Sequence, residues 1–558
     1  MLGSDEVGRR VDILSVGALR RSLRDRQSFP STSSSEFYGV EMRRPPPLNR
    51  AAFRDTAVSS RLQVVAAVLS FIIYASAVVV LQRHRDNSFF CERIGLAAAV
   101  SDVVYGAPLG KVYPEIQTQL FNAQAPIEAV LERVAHLDPQ PTNPTMPVSD
   151  GNGIGFIIAA SSAMRLFGPH LFSLPFFMLA LMAISTATFL WRFGDNRSAV
   201  VTVTFFALTL MLCTPLVWDP GIANQIPIGG SRYFSLLAIV PSFHLVRELA
   251  DGNGQAERAR RLHTLLLAVQ VILLVLAILV RGSAASAAGP ILLVGLIRVW
   301  RNRANRFELR SLCRKGTVIA MVGAVFAGSL VVALPSRYVR DGRVGTVFWH
   351  RAVISFGVNP AWPFGNLHEK YDCKAGDIPE GLVAGAVDRN GHCIWWDYLV
   401  THHVPIQFAI PELYGRRYEA VMRAAFFNIV RRYPHDVLVT FLYYKPEWFV
   451  QSIKYLALNA AFHFAILKVL VIAGFVNFLG FLVIATRFSG GPTTLRLAGL
   501  GALFGITSVP TYLVAWATPH TTADALFYTL FCIGLGLAAV MQPVRAAVWR
   551  AFPERARV

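Results

Sequence analysis

Residues 264–280 read TLLLAVQVILLVLAILV, without one charged residue, and Arg281-Gly282-Ser283 follows before residues 284–299 turn largely apolar again. At 1.5 Å rise per residue, a helix of this length covers about 25 Å. That nearly matches the ~30 Å hydrocarbon core of a bilayer. This pair decides the fold class: two spanning helices joined by almost no loop. Working outward, similar apolar runs occupy residues 62–81, 153–167, 171–191, 198–218, 233–246, 317–334, 455–486, 497–517 and 524–541. The reading is an all-α polytopic membrane protein with about 10–12 transmembrane helices.

Composition agrees. Hydrophobic residues make up 54% of the 558 and charged residues 16%, against averages of about 45–50% and 25%. Mean hydropathy is +0.45. These values exclude a soluble enzyme, a disordered protein and a collagen-like fibre. The net charge is +19, but its placement argues for topology rather than nucleic acid. Arg298, Arg301, Arg303, Arg306, Arg310, Arg314 and Lys315 lie between two runs, and Arg545, Arg550, Arg555 and Arg557 follow the last. Excess Arg of this kind marks cytoplasmic loops. No nucleic-acid partner is expected; membrane lipids are.

Residues 1–61 are Arg-, Ser- and Pro-rich and read as a disordered basic cytoplasmic tail, followed by an uncleaved anchor. The remaining organisation is a transmembrane module at 62–334, an extracytoplasmic segment at 335–454, C-terminal transmembrane helices at 455–546 and a cytoplasmic tail at 547–558. Two polar stretches, 82–152 and 335–454, are too long to be connectors, and the charge distribution puts both outside. Counting conflicts with this. An N-in start with eight runs before residue 335 would put 335–454 inside. One run must therefore fail to span, and the short runs 153–167 and 233–246 are the suspects. Cys373 and Cys393 share the second outer segment, where a disulfide is plausible chemistry; two free thiols are the alternative.

The first outer loop carries Arg83-His84-Arg85-Asp86, then Cys91-Glu92-Arg93-Ile94-Gly95, then Ser149-Asp150-Gly151-Asn152-Gly153 at the entry to the next run. A carboxylate at the membrane boundary suits a general base acting on an acceptor hydroxyl. Glu92 ranks first, then Asp86, then Asp102. Asp150 and Asn152 sit among glycines that permit close backbone approach to a ligand; an ordinary helix N-cap is the plain alternative for Asp150. Arg232 and Arg281 stand where a lipid phosphate would be held, unless they are snorkelling or structural cations. In the second segment, Trp349-His350-Arg351, Gly357-Val358-Asn359, Trp395-Trp396-Asp397, Tyr418-Glu419 and Tyr443-Tyr444-Lys445-Pro446 mix aromatic and polar groups, which suits sugar stacking or a small folded cap. His350 and Lys445 are the candidates there. His402-His403 lacks a third ligand at metal spacing.

This layout resembles the GT-C superfamily of polyprenyl-phosphate-dependent glycosyltransferases, which includes protein O-mannosyltransferases and aminoarabinose transferases. The resemblance rests on Glu92-Arg93 before an apolar helix, the Asp150–Gly155 entry turn and the Leu166-Phe167-Gly168 ending. It covers residues 60–335 in architecture. The adjacent acids and Pro-Pro entry usual in such relatives are absent. It implies a GT-C-like fold with two large extracytoplasmic segments, in a bacterial inner membrane with the N-terminus cytoplasmic. It also implies a polyprenyl-phosphate sugar donor, an unspecified acceptor, Glu92, Asp86 or Asp102 as catalytic acid, and Arg93 beside it. A divalent cation is compatible with the chemistry and not required. The rivals are a transporter or flippase, which would need broken substrate-binding helices, and a non-catalytic scaffold. No P-loop, nucleophile elbow or dinucleotide fingerprint is present.

Overall fold

The chain divides into two units, Met1–Asp55 and Thr56–Val558. The computed structural model describes residues 93–121, 127–136, 154–193, 230–250, 257–333, 348–359, 388–405 and 415–448, with isolated positions at 65–76, 450–451 and 503. All belong to the second unit. The basic tail, the apolar run 198–218 and nearly all of the three C-terminal runs lie outside the described residues.

Every regular element among the described residues is helical. In chain order they are α1 (Arg93–Tyr105), α2 (Pro114–Phe121), α3 (Ile127–Ala135), α4 (Ile154–Phe167), α5 (Ser173–Phe193), α6 (Ser231–Phe234), α7 (Ile239–Ala250), α8 (Glu257–Val280), α9 (Ala288–Arg301) and α10 (Arg306–Ala333). The polar segment 335–454 adds α11 (Phe348–Ile354), α12 (Asp388–Thr401), α13 (Arg416–Arg432) and α14 (Pro434–Val439). Short 3₁₀ turns at Ser235–Ala238 and Gly282–Ala287 join α6 to α7 and lead into α9. Among the described residues, four stretches are long and apolar enough to cross a membrane: Ser173–Phe193, Arg261–Val280, Gly282–Arg301 and Arg306–Ala333.

Helix α8 is the hub. It packs on α4, α5, α7 and α10, and its Val271, Leu274, Ala277 and Val280 sit in one apolar core with Met178, Met182, Phe189, Phe243 and Leu245. Phe71 and Ala75 of the first apolar run pack against the same core. Polar groups fix the register. Buried Gln270 accepts from the Ser185 hydroxyl at 2.8 Å and donates to the Ser185 carbonyl at 2.8 Å and the Thr188 hydroxyl at 2.5 Å. Such bonds between spanning helices contribute roughly 0.6 kcal/mol each, at most about 1.7.

Ion pairs identify which helix ends lie together. Glu248 on α7 pairs with Arg192 at the end of α5. It also pairs with Lys315 of α10, whose Nζ lies 3.3 Å from Oε2 and donates to the Glu248 carbonyl at 2.7 Å. Arg298 of α9 donates to the Leu249 carbonyl at 3.3 Å. So α5, α7 and α9 end, and α10 begins, at one basic end of the bundle. Counted from the Gln270–Ser185 contact at 1.5 Å per residue, Val280 and Ser173 reach about the same height at the opposite end.

Helix α4 is fixed between those two points. A Cβ on Gly155 would lie 2.1 Å from the Leu279 carbonyl carbon and 2.2 Å from the Val280 nitrogen, so backbone rides on backbone. Its other end turns at Gly168, in the left-handed region at φ +90°, directly into α5. Both ends of α4 therefore sit at the non-basic end, and the helix lies across the bundle rather than along it. Its 14 residues give about 21 Å, short of the ~30 Å core. Of the two short runs, 153–167 is the one whose helix has both ends at the same end of the bundle.

Candidate functional site

The non-basic end carries a cap of short helices. Helix α1 supplies Leu96, Ala97, Ala98, Ala99 and Val100, all fully buried; small side chains let it approach α4 closely. Tyr105 donates its hydroxyl to the Val134 carbonyl of α3. The Glu128 carboxylate accepts the Leu171 N–H at 2.9 Å, tying α3 to the turn before α5.

The candidates distribute as follows. Asp102 lies in this cap, 8% exposed, and accepts a 2.7 Å hydrogen bond from the Arg165 guanidinium of α4. It is thus held as an ion pair, with Arg165 itself largely in solvent. Arg93 opens α1 and Arg232 is the second residue of α6. Arg281 is 4% exposed, in extended backbone (φ −142°, ψ 112°) exactly where α8 breaks. Two residues on, in the 3₁₀ turn, the Ser283 hydroxyl is buried, and so is that of Ser286. Neither has a hydrogen-bond partner among the described residues. Glu92, Asp86, Asp150 and Asn152 lie outside the described residues; Glu92 directly precedes α1, and Asn152 stands two residues before α4. The fold therefore brings Asp102, the start of α6 and Arg281 to the same end of the bundle.

The polar segment 335–454 has its own core of Val353, Cys393, Ile394, Trp395, Leu399, Tyr418 and Met422. Cys393 is disulfide-bonded. Cys313 is free, so the partner lies outside the described residues, where the expected Cys373 also falls. His350 is buried, and its Nδ1 lies 2.6 Å from the Tyr418 hydroxyl. The His392 ring stacks near it, centroids 6.0 Å apart. Gly391 gives them room: a Cβ there would sit 2.5 Å from His350 Nδ1. The Glu419 carboxylate accepts the N–H groups of Trp349 and His350 at 2.9 and 3.1 Å, capping α11. Burial pushes the Glu419 carboxyl above its usual range; the two N–H donors and the charges of His350 and Arg351 oppose this.

Lys445 is 2% exposed, with its ammonium 4.3 Å from the centre of the Phe441 ring. Burial lowers its pKa well below the ordinary lysine value. Five residues before Lys445, the Thr440 hydroxyl accepts a 2.9 Å hydrogen bond from the distant Asn359 amide. Of the two readings of these aromatics, a sugar-stacking surface and a small folded cap, the buried His350 and Lys445 and the Trp395–Tyr418 core agree with the cap. Among the described residues no three His, Cys, Asp or Glu side chains converge to hold a metal ion.

Sequence reading also passed over the Arg192–Glu248–Lys315 network. The signal available was one acid among several bases at the end of an apolar run. It passed over His244 as well, fully buried against Phe189 and Phe193 with both ring nitrogens unpartnered among the described residues. Comparison of the chain with protein-family models, curated proteins and solved structures finds no match.

Proposed function

We propose that this chain is an integral membrane glycosyltransferase of the GT-C type, moving a sugar from a polyprenyl-phosphate donor to an extracytoplasmic acceptor. The observation that carries the reading is Arg281. It is a buried cation at a break between two apolar helices, followed by buried unpartnered hydroxyls and lying at the end capped by α1–α4. A charge buried among the helices at that end is costly and is a candidate for a functional site. A guanidinium there suits the departing lipid phosphate. Glu92 or Asp86, just before α1, takes the proton from the acceptor hydroxyl as its oxygen attacks the anomeric carbon. The bond from that carbon to the phosphate oxygen breaks, and polyprenyl phosphate leaves. Asp102, already engaged by Arg165, positions the cap instead. Any divalent cation is an accessory.

The helix directions support a topology of ten spans in a bacterial inner membrane. With 153–167 removed, seven runs precede residue 335. An N-in start then puts the basic end of the bundle inside and 335–454 outside. A disulfide at Cys393 suits an oxidising compartment. Three further runs return the basic C-terminus to the cytoplasm, in keeping with the positive-inside rule.

One observation favours transport instead: His244 and Gln270 are buried polar groups within the bundle. Purified protein, given a panel of polyprenyl-phosphate sugars, separates the two readings. Release of free polyprenyl phosphate that falls at least a hundredfold in Glu92→Gln or Arg281→Gln supports transfer. Movement of an unaltered donor across vesicles, unaffected by Glu92→Gln, overturns it.

A further inference from the structure

Helix α10 has 28 residues, about 42 Å at 1.5 Å each, against a ~30 Å hydrocarbon core. The excess lies at its start, where residues 306–316 read RFELRSLCRKG before the apolar run begins at Thr317. These first turns stand at the height of the lipid headgroups.

The helix has two faces. Leu312 is buried, and Lys315 reaches inward to Glu248. Arg306, Arg310 and Arg314 repeat every four residues on the other side and are all exposed. Arg301 and Arg303, in the turn from α9, are exposed too. None of these five has a carboxylate partner among the described residues. The cations of this end thus fall into two sets. Arg192 and Lys315 are used internally by Glu248, and Arg298 by the Leu249 carbonyl; the five arginines face outward.

The same outward face continues into the apolar half. At 100° per residue, Met321, Val325 and Val332 follow the arginine row, and they are 59%, 70% and 86% exposed. Between them Ala324 and Gly328 are exposed and low, and a Cβ on Gly328 would meet nothing within 4 Å. Trp300 and Phe307 flank the arginines at 67% and 75% exposure, with Arg303 over the Trp300 ring at 5.9 Å. A tryptophan at that height marks the membrane interface.

We infer that this face of α10 is a binding site for an anionic phospholipid. Its phosphate-bearing headgroup is held by Arg306, Arg310 and Arg314, and one acyl chain lies along Met321–Val332. Charge and shape agree: exposed guanidinium groups without a carboxylate partner among the described residues above, a low apolar strip below, on one line. The planar fork of Arg suits phosphate, and basic segments beside a span attract anionic lipid. The inference needs only that α10 crosses the bilayer; it does not depend on the transferase reading.

The test uses the full chain in mixed micelles of phosphatidylcholine and phosphatidylglycerol at equal mole fraction. Lipid retained after affinity isolation is measured by mass spectrometry. Wild type should retain phosphatidylglycerol roughly fivefold or more over phosphatidylcholine, and 0.5 M salt should reduce the ratio by screening. The variant Arg306→Gln/Arg310→Gln/Arg314→Gln should bring it close to one, while melting as wild type in phosphatidylcholine alone. The corresponding triple Lys variant should keep most of the preference. Equal retention of the two lipids by wild type overturns the proposal. So does an unchanged ratio in the Gln variant. Cross-linking of two copies through Met321→Cys, independent of lipid charge, overturns it in favour of a second copy on this face. If the Gln variant fails to fold, the salt series and the Lys variant decide.

Discussion

Gly155→Ala is the sharpest test of how α4 is held. The added methyl would lie 2.1 Å from the Leu279 carbonyl carbon, 2.2 Å from the Val280 nitrogen and 2.4 Å from the Leu279 oxygen. Carbon contacts settle near ~3.5–4 Å, so α4 must retreat from α8 by more than about 1 Å. No rotamer relieves this, because the obstacle is backbone on both sides. A gap of that size forfeits a quarter to a half of the dispersion energy of the facing atoms. Those atoms include Phe156, Ala159, Ala160 and Ala163, all buried. Overpacking of a close core usually costs about 1–3 kcal/mol, and this site belongs at the upper end. Thermal unfolding in detergent should show a clearly lowered Tm, and donor turnover should fall with it. Gly295→Ala is the control, since its Cβ would meet only Leu249 Cδ1 at 3.9 Å. If Gly155→Ala melts like wild type while the control is also silent, α4 does not lie on α8 as described.

Three further outcomes are expected. Glu248→Ala leaves Arg192 and Lys315 without their shared carboxylate; losing one partner of a buried pair costs about 3–5 kcal/mol, seen as a large drop in Tm. Gly391→Ala drives a methyl into His350, and should loosen the outer segment, read as faster proteolysis there, with the membrane bundle intact. Glu419 and Lys445 predict opposite pH responses. The Glu419 carboxyl is raised in the fold, so its stabilising contribution is present below the ordinary glutamate range and is lost as pH rises through the folded value; Glu419→Gln flattens that fall. Lys445 is lowered, so the unfolded chain binds more protons and stability rises with pH up to the ordinary lysine range. Lys445→Met removes that rise and should stabilise the segment near neutrality. Both are read from melting curves between about pH 4 and 10, the window that the two ordinary pKa values bracket.

Helix positions were legible because each rests on local composition. The run 264–280 has no charge to interrupt it, and the helix found there extends it only toward its N-terminus. Helix α10 was read as starting at Thr317 and begins eleven residues earlier, because an Arg-rich stretch looks like loop when only hydropathy is weighed. Its arginines and Leu312 have helical spacing, so the signal was present. The crosswise path of α4 was half legible: its shortness was plain, but only Gly155 against Leu279–Val280 distinguishes it from the run at 233–246. Pairings between distant residues were not legible. Nothing near Asp102 in sequence points to Arg165, 63 residues on. The burial of Lys445 depends on a segment whose aromatics read equally well as an open sugar platform.

The Arg192–Glu248–Lys315 network also bears on how the protein is made. Glu248 follows Arg192 by 56 residues, and Lys315 follows Glu248 by 67. Synthesis therefore delivers the first cation, then the acid, then the second cation. Until α10 is in place, one Glu248 carboxylate oxygen and the Glu248 carbonyl await their donor. A chain that stalls before α10, or threads it in the reverse sense, carries Lys315 to the wrong face and never completes the set. The network thus records, in three side chains, that α10 was inserted the right way round.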